Sequence, residues 1–299
     1  MAVLGWIVGG GVILYFLVNL IAAFFTLRPF RVPIYLSPGF MGFPQERVDI
    51  VTEDGITLAG WWVPHPNPKG VLIGTHGYMM NRCEWVPLLP LLFNDHQLSC
   101  LFVDHRGQGR SGKALCTFGR DEALDVKAMK SFVESRDPKS PRIWLGSSMG
   151  AAAIVYAAAQ DPDLGEGYIL DAPYRRLDEA GRGWWLMVRG KALNALLHFV
   201  LPFGSMMARF SPKSLSVEDK LPELGGKPIL LLYGTSDPLV PVESAKILHR
   251  AAGGRARVEF FEGAGHGHGR FREPERWHRL AGEFVEECLE KGANGGPSS

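Results

Sequence analysis

Short apolar runs and amphipathic stretches alternate along the chain from residue 47 onward. The apolar runs are rich in β-branched and aromatic residues and have the length of strands rather than of helices. They are found at 47–52, 56–63, 71–75, 98–103, 142–145, 167–170, 228–233 and 257–261. The first two flank Glu53-Asp54-Gly55, which predicts a hairpin. The others are expected to be strands buried on both faces of a sheet.

The stretches between these runs show helical spacing of apolar residues. A helix is predicted over 124–133 with Asp121 as its N-cap, and a shorter one over 243–252. The clearest helix carries apolar residues from 277 to 289 and is expected to end at Gly292. A hairpin followed by repeated β-α units predicts an α/β fold with a mostly parallel sheet flanked by helices.

The N-terminal segment has a different composition from the rest of the chain. No residue from 2 to 27 is charged, and 4–25 is apolar apart from glycines and Asn19. This length is enough to span a bilayer. A cleaved signal peptide would have a basic start and a shorter apolar run; it remains an alternative, as does a buried core helix. We expect residues 1–27 to be a retained transmembrane anchor.

Positive charge follows this segment, at Arg28, Arg31 and Arg47, whereas only the α-amino group precedes it. The positive-inside rule then places the C-terminal domain on the cytoplasmic side. Residues 28–46 contain four prolines and are predicted to form an extended linker. The globular domain is expected to cover 47–292.

The segment 174–216 breaks the alternation and is predicted to be a helical cap inserted into the domain. From 174 to 213 it contains seven basic and two acidic residues among many aromatic and apolar ones. Such a surface suits contact with anionic headgroups. Alternatively, these side chains only pack the cap onto the domain. The tail 293–299 is expected to be disordered.

Composition excludes some function classes. The net charge of +1 and the pI near 7.7 create no field that would attract nucleic acid, so no nucleic-acid partner is expected. A hydrophobic content of 46% is ample for a large core. The cysteines form no C-x-x-C pair and show no metal-ligand spacing with histidine; Cys100 and Cys288 are expected to be small core residues.

The sequence Gly146-Ser147-Ser148-Met149-Gly150 lies between a predicted strand and an alanine-rich predicted helix. A serine at the tip of a sharp strand-to-helix turn has a strained backbone, and glycines two residues before and after it avoid clashes across the turn. The start of the helix places the Met149 N–H where an oxyanion would develop. Ser148 is therefore the candidate nucleophile.

A nucleophilic serine needs a base that a carboxylate orients. Asp237 and His266 each follow the C-terminal end of a predicted buried strand, at the edge of a parallel sheet where ligands bind. Asp237 could instead only begin the turn before Pro238. Asp171, which ends another strand, is a rival acid, and His268 is a rival base that is expected to face elsewhere.

The order serine, acid, histidine from three strand ends resembles that of the α/β-hydrolase superfamily, and in particular its membrane-anchored serine hydrolases with a short cap. Thr75-His76-Gly77-Tyr78 resembles the family's oxyanion loop, which implies that the Tyr78 N–H acts together with that of Met149. The loop 104–111 resembles the family's D-x-R-G-x-G-x-S loop. Asp104 and Arg106 are then expected to form structural ion pairs, and His76 to be a hydrogen-bonded loop residue.

The predicted activity is hydrolysis of carboxylic esters or thioesters, in lipids or other acylated substrates, by a membrane-anchored serine hydrolase that forms an acyl-enzyme. Neither a metal nor an organic cofactor is expected. A serine peptidase of the same fold is an alternative, since the triad chemistry is shared and only the pocket differs. A catalytically silent binding protein is a third hypothesis. The oligomeric state is left open.

Overall fold

One eight-stranded sheet forms the centre of the molecule in the computed structural model. The structure describes residues 1–294, and the side chains of all of these except 185–189, 191–195 and 293–294. The strands are β1 Glu46–Val51, β2 Thr57–Val63, β3 Gly70–Thr75, β4 Leu98–Val103, β5 Arg142–Ser147, β6 Gly167–Asp171, β7 Ile229–Gly234 and β8 Ala256–Phe261. Their spatial order is β1-β2-β4-β3-β5-β6-β7-β8. Among the described strands β2 runs antiparallel to its two neighbours, β1 and β4, and all other neighbouring strands are parallel.

The predicted strands are present, each within two residues of its predicted ends. The predicted hairpin is confirmed, with Val51 paired to Thr57 across the turn. One prediction is wrong: β8 is not buried on both faces, since Arg257 is exposed and the next three residues are only partly buried. β8 lies at the edge of the sheet, where the flanking helices cover its faces incompletely.

The helices lie on both faces of the sheet. They are α1 Ala2–Leu27, α2 Glu122–Arg136, α3 Met149–Ala158, α4 Leu177–Leu196, α5 Val200–Ala208, α6 Val217–Lys220, α7 Val242–Ala251, α8 Gly269–Arg272 and α9 Pro274–Asn294. On one face α2, α3 and α7 bury Met129, Ile154 and Leu248 against the sheet. On the other face α9 buries Trp277 and Phe284. The sheet therefore has a separate apolar core on each face. The helices between the strands supply these cores, which explains the alternation of apolar runs and amphipathic stretches along the chain.

Two helix boundaries differ from prediction. Asp121 does not cap α2; its backbone is helical and its carboxylate pairs with Arg120 at 2.7 Å. The last helix continues past Gly292, which lacks the left-handed backbone of a helix-ending glycine, to Asn294. Of the tail predicted to be disordered, 295–299 lies outside the described residues.

The N-terminal helix α1 is long and apolar enough to cross a membrane, with a mean hydropathy of 2.3. It packs against α5 of the segment predicted to be the cap, in which α4 is interrupted at Gly190. A bridge between Arg176 and Ser216 joins the two ends of this segment. Between α1 and β1 the chain contains one short 3-10 turn, Gly39–Met41, and otherwise no regular element.

Candidate active site

Ser148 lies at the turn between β5 and α3, where sequence analysis places the nucleophile. Its φ of 47° and ψ of −109° are costly for any residue with a side chain. Its N–H donates to the Asp171 carbonyl at 2.8 Å, which ties the turn to the end of the neighbouring strand β6. Such strain persists only where the surroundings enforce it, and it is typical of the sharp turn that exposes a nucleophilic serine.

Gly146 and Gly150 allow this turn to form. A Cβ at Gly146 would lie 2.6 Å from a methyl group of Ile154 and 2.7 Å from the Ala151 nitrogen. A Cβ at Gly150 would lie 2.6 Å from the Thr75 carbonyl oxygen. These backbone neighbours belong to the sheet and to the first turn of α3, so they cannot move aside. Close packing of the turn against α3 and against the end of β3 thus explains both glycines of the G-x-S-x-G sequence.

Asp237 and His266 meet at the carboxyl edge of the sheet, after β7 and β8. Nδ1 of His266 lies 2.7 Å from Oδ2 of Asp237. The other oxygen of this carboxylate accepts the N–H groups of Leu239 at 2.7 Å and Val240 at 2.9 Å, so the carboxylate is held from both sides. Nε2 of His266 is buried without a hydrogen-bond partner among the described residues. His266 and Ser148 line the same cavity.

The rival residues occupy different positions. Asp171 is buried at the end of β6, where its Oδ2 accepts a bond from Arg270 at 3.4 Å. His268 lines the cavity as well, so the expectation that it faces elsewhere is wrong; its ring packs edge-on against Phe271. Of the two histidines, His266 is the one that Asp237 contacts.

The loop after β3 holds the predicted oxyanion donor Tyr78 between two fixed amides. The Gly77 N–H donates to Glu84 at 2.9 Å, and the Met79 N–H donates to Gln108 at 2.8 Å. Tyr78 and Met149 both line the cavity beside Ser148. The loop is therefore rigid on either side of Tyr78, which is what a preorganised oxyanion site requires.

His76 is a hydrogen-bonded loop residue in the structure. Burial and the nearby His105 lower the pKa of its imidazole to about 4, so the ring is neutral at pH 7. Nδ1 lies 2.8 Å from the Gly77 carbonyl oxygen, and Nε2 accepts the His105 N–H at 2.9 Å. Both ring nitrogens are thus engaged, which leaves neither to act as a base.

The loop 104–111 is held by the ion pairs that sequence analysis predicts. Asp104 lies 3.8 Å from Nε of Arg82 and accepts the backbone N–H of Arg110 at 2.8 Å. Arg106 pairs with Asp125 at 2.8 Å and with Asp54 at 2.7 Å. The charged partners Arg82, Asp125 and Asp54 were not predictable, since they lie on other parts of the chain.

Glu84 is a buried carboxylate that connects three loops of the site, and it is not among the candidate residues predicted from the sequence. One oxygen accepts the Ser147 hydroxyl at 2.7 Å and Arg270 at 2.8 Å, while the other accepts the Gly77 N–H. Glu84 therefore joins the oxyanion loop, the residue before the candidate nucleophile and the helix that follows His266. A sequence signal exists: it is the only charged residue in the otherwise apolar stretch 83–93.

Opposing effects set the ionisation of this buried cluster. Burial disfavours the charge on Glu84, but Arg270 and the hydrogen bonds from Gly77 and Ser147 outweigh it and hold the pKa of Glu84 below its usual value. For Asp171 burial dominates and raises the pKa to about 6, although Arg270 opposes it. The Arg270 guanidinium also packs 4.6 Å above the Trp85 ring.

Replacing Glu84 with alanine is expected to lower the free energy of unfolding by about 3–5 kcal/mol, because it leaves Arg270 buried without its main partner. Equilibrium unfolding of the detergent-solubilised protein measures this. The double variant Glu84→Gln/Arg270→Met removes both charges. It is expected to lose less unfolding free energy than Glu84→Gln and Arg270→Met lose together when each is measured alone. Additive costs would contradict the pairing.

An apolar cavity of about 330 Å³ lies over Ser148. Its walls come from the sheet loops, from α4 and α5, and from the last two residues of α1. They include Thr26, Leu27, Phe118, Trp184, Val200 and Phe210. The walls of the cavity that Ser148 lines are thus mostly apolar, an arrangement typical of sites that bind an apolar ligand.

Comparisons with known proteins identify the family to which this fold belongs. Residues 66–215 match the Hydrolase_4 family, described as serine aminopeptidase S33, and 209–275 match the Abhydrolase_4 family, described as TAP-like protein. The esterase Pf2001 of Pyrococcus furiosus superposes with a TM-score of 0.74 at 27% identity, over 88% of this chain and 99% of that one. The uncharacterized protein YqkD of Bacillus subtilis is 28% identical over 78% of this chain and 76% of its own length. A monoacylglycerol lipase of Mycolicibacterium smegmatis is 24% identical over 72% of this chain and 86% of its own length.

The chain belongs to the α/β-hydrolase superfamily. The predicted fold class is therefore confirmed, and the protein is an esterase-like hydrolase.

Proposed function

We propose that the protein is a serine hydrolase in which Ser148, His266 and Asp237 form the catalytic triad. The observation that carries the proposal is the pairing of His266 with Asp237, which leaves a buried, unpartnered Nε2 in the cavity that Ser148 also lines. No hydrogen bond joins Ser148 to His266 in the described structure, and such bonds often tighten only when substrate binds.

In the proposed reaction, Nε2 of His266 takes the Ser148 proton as Oγ attacks the carbonyl carbon of the substrate. The N–H groups of Tyr78 and Met149 donate to the oxyanion. Collapse of the tetrahedral intermediate releases an alcohol or thiol, which receives the proton from His266. A water molecule then attacks the acyl-enzyme as His266 takes its proton, and His266 passes this proton to Oγ of Ser148 as the carboxylic acid leaves. Asp237 keeps His266 in the required tautomer and stabilises its cation.

The proposed substrates are carboxylic esters or thioesters with an apolar acyl chain, in lipids or acylated proteins. The apolar walls of the cavity suit an uncharged acyl chain better than a charged substrate group. We further propose that α1 anchors the enzyme in a membrane, and that the arginines after it place the catalytic domain on the cytoplasmic side. Acylated molecules in the bilayer are the proposed partners.

The family description also names an aminopeptidase, so a peptidase is the second candidate. An aminopeptidase must bind a protonated amine, which calls for a free carboxylate. Glu84 is the sole carboxylate among the described residues that line the cavity, and it is already paired with Arg270. The electrostatics of the cavity therefore favour the esterase.

A panel of p-nitrophenyl esters of increasing chain length, assayed beside aminoacyl p-nitroanilides, tests this choice. Turnover of the esters with little or none of the anilides is expected. Faster cleavage of the anilides would reject the esterase in favour of the peptidase. Turnover of neither class, together with no labelling by a fluorophosphonate, would support the binding protein.

Replacing Gly204 with phenylalanine is expected to shift the chain-length preference toward short esters, lowering kcat/KM for long chains by on the order of 10-fold or more. Gly204 lines the cavity, and a Cβ there would meet no atom within 4 Å, so the larger side chain can be accommodated in the fold and occupy acyl space. Initial rates across the ester panel measure the shift.

The matched control is Met206→Phe, which enlarges a side chain that is 67% exposed on the same helix. An unchanged preference is expected there. If both variants shifted the preference equally, the effect would come from the helix as a whole and not from filling the cavity.

A further inference from the structure

Asn19 is a fully buried polar residue in the middle of the apolar helix α1. Its side-chain nitrogen donates to the Leu196 carbonyl at 3.0 Å, and its oxygen accepts the Phe199 N–H at 3.0 Å. It thereby satisfies backbone groups at the connection between α4 and α5. Polar pairs of this kind hold helices together inside membranes, where water cannot replace the partner.

Aromatic contacts extend the same interface along both helices. The rings of Phe16 and Phe199 lie 5.0 Å apart, and those of Phe16 and Phe203 6.3 Å apart. Ala23 is buried together with Val200. The segment 196–208 is therefore packed along α1 and is not merely close to its end.

The position of this contact along α1 sets its depth. Arg28 is the first charge after the helix, and Asn19 precedes it by nine residues, which is about 13 Å at 1.5 Å per residue. In a hydrocarbon core about 30 Å thick, Asn19 then lies near the middle of the bilayer. The backbone groups of Leu196 and Phe199 that bond to it lie at that depth as well.

The composition of the segment fits such a depth. The stretch 192–208 contains no Asp, Glu, Lys or Arg and is bounded by Lys191 and Arg209. The helix α5 spans nine residues of this uncharged stretch, about 13 Å, and Arg209 follows it directly. Two large apolar residues of this segment are exposed on the surface of the protein, Met206 to 67% and Leu196 to 56%.

The same elements form the outer wall of the catalytic cavity. Thr26 and Leu27 of α1 line it together with Leu201 and Gly204 of α5. The Tyr78 hydroxyl donates to the Thr26 carbonyl at 2.9 Å, which attaches the end of α1 to the oxyanion loop. A ligand that passes between α1 and α5 would thus come from the bilayer and not from water.

We propose that residues 196–208 are embedded in the same leaflet as the C-terminal half of α1, in contact with the acyl chains of bilayer lipids, and that these chains reach Ser148 laterally between α5 and the end of α1. The inference rests on the proposed membrane anchor. It adds that residues 196–208 of the cap lie inside the membrane and that α1 is part of the substrate site.

Fluorescence quenching in vesicles tests this placement without any measurement of hydrolysis. The full-length variant Met206→Cys is labelled with the environment-sensitive fluorophore NBD and placed in vesicles of phosphatidylcholine and phosphatidylglycerol. Emission is compared with and without a lipid that bears a nitroxide quencher on its acyl chain. The native cysteines at 83, 100, 116 and 288 are buried and leave the label specific. Two further variants are controls. Val51 is 65% exposed on β1, so the label in Val51→Cys reports on a surface that is expected to face water. Ile13 is 69% exposed on α1, so the label in Ile13→Cys reports on the proposed transmembrane helix.

Blue-shifted emission and strong quenching are expected for the labels at Met206 and Ile13, and neither for the label at Val51. Quenching at Ile13 without quenching at Met206 would overturn the embedded cap while leaving the anchor and the triad intact. Absence of quenching at both positions would overturn the inference together with the anchor. Because the assay works equally well in a Ser148→Ala background, a failure of the triad cannot be mistaken for either result.

Discussion

Replacing Ser148 with alanine is expected to lower kcat for ester hydrolysis by on the order of 10⁶-fold, since the atom that forms the acyl-enzyme is removed. Labelling by a fluorophosphonate should be lost completely. Initial rates with a short p-nitrophenyl ester and gel detection of the labelled protein measure the two effects.

The matched control is Ser205→Ala. Ser205 lines the same cavity, but its hydroxyl donates to the Leu201 carbonyl within α5 at 2.8 Å, so it is already engaged. This variant should label like the parent protein. Equal labelling of Ser148→Ala would show that another residue reacts, and the proposed nucleophile would be wrong.

Replacing Asp237 with asparagine is expected to lower kcat by about 10⁴-fold with little change in KM. An asparagine amide can present an N–H to Nδ1 of His266 and so hold the imidazole in the tautomer that cannot accept the serine proton at Nε2. Steady-state kinetics across a range of pH measure the loss, and the fold should be retained because the substitution conserves shape.

Asp171→Asn provides the comparison for this prediction. Asp171 contacts Arg270 and lies at the end of β6 rather than β7. Its replacement is expected to affect stability more than kcat. If Asp171→Asn abolished turnover and Asp237→Asn did not, the acid of the triad would come from β6 and the assignment of Asp237 would fail.

The cluster around Glu84 gives both variants a structural context. Glu84, Arg270 and Asp171 connect the loop after β3, the turn at Ser148 and the helix after His266. Movement of any one of these loops would break a hydrogen bond to a buried charge, which is costly. This cost is a physical reason for the candidate residues to keep their relative positions when substrate enters.

Local features of the chain were predictable. The strands follow from apolar runs bounded by polar turns, and the turn at Ser148 follows from the spacing of Gly146 and Gly150 around the serine. The backbone groups that a side chain at Gly150 would meet were not predictable, because they belong to Thr75 and His76. The edge position of β8 was not predictable, since the exposure of Arg257 depends on which helices cover that end of the sheet.

Local spacing and the positions of strand ends were enough to predict the order of the strands along the chain, the tight turn at Ser148 and the candidate residues Asp237 and His266. Three contacts arise only in the folded molecule: His266 meets Asp237, Glu84 and Arg270 join three loops, and α1 packs on the cap at Asn19. Each of these contacts joins residues 29 to 186 positions apart. Folding selects such partners through burial and hydrogen-bond satisfaction, which no local pattern encodes.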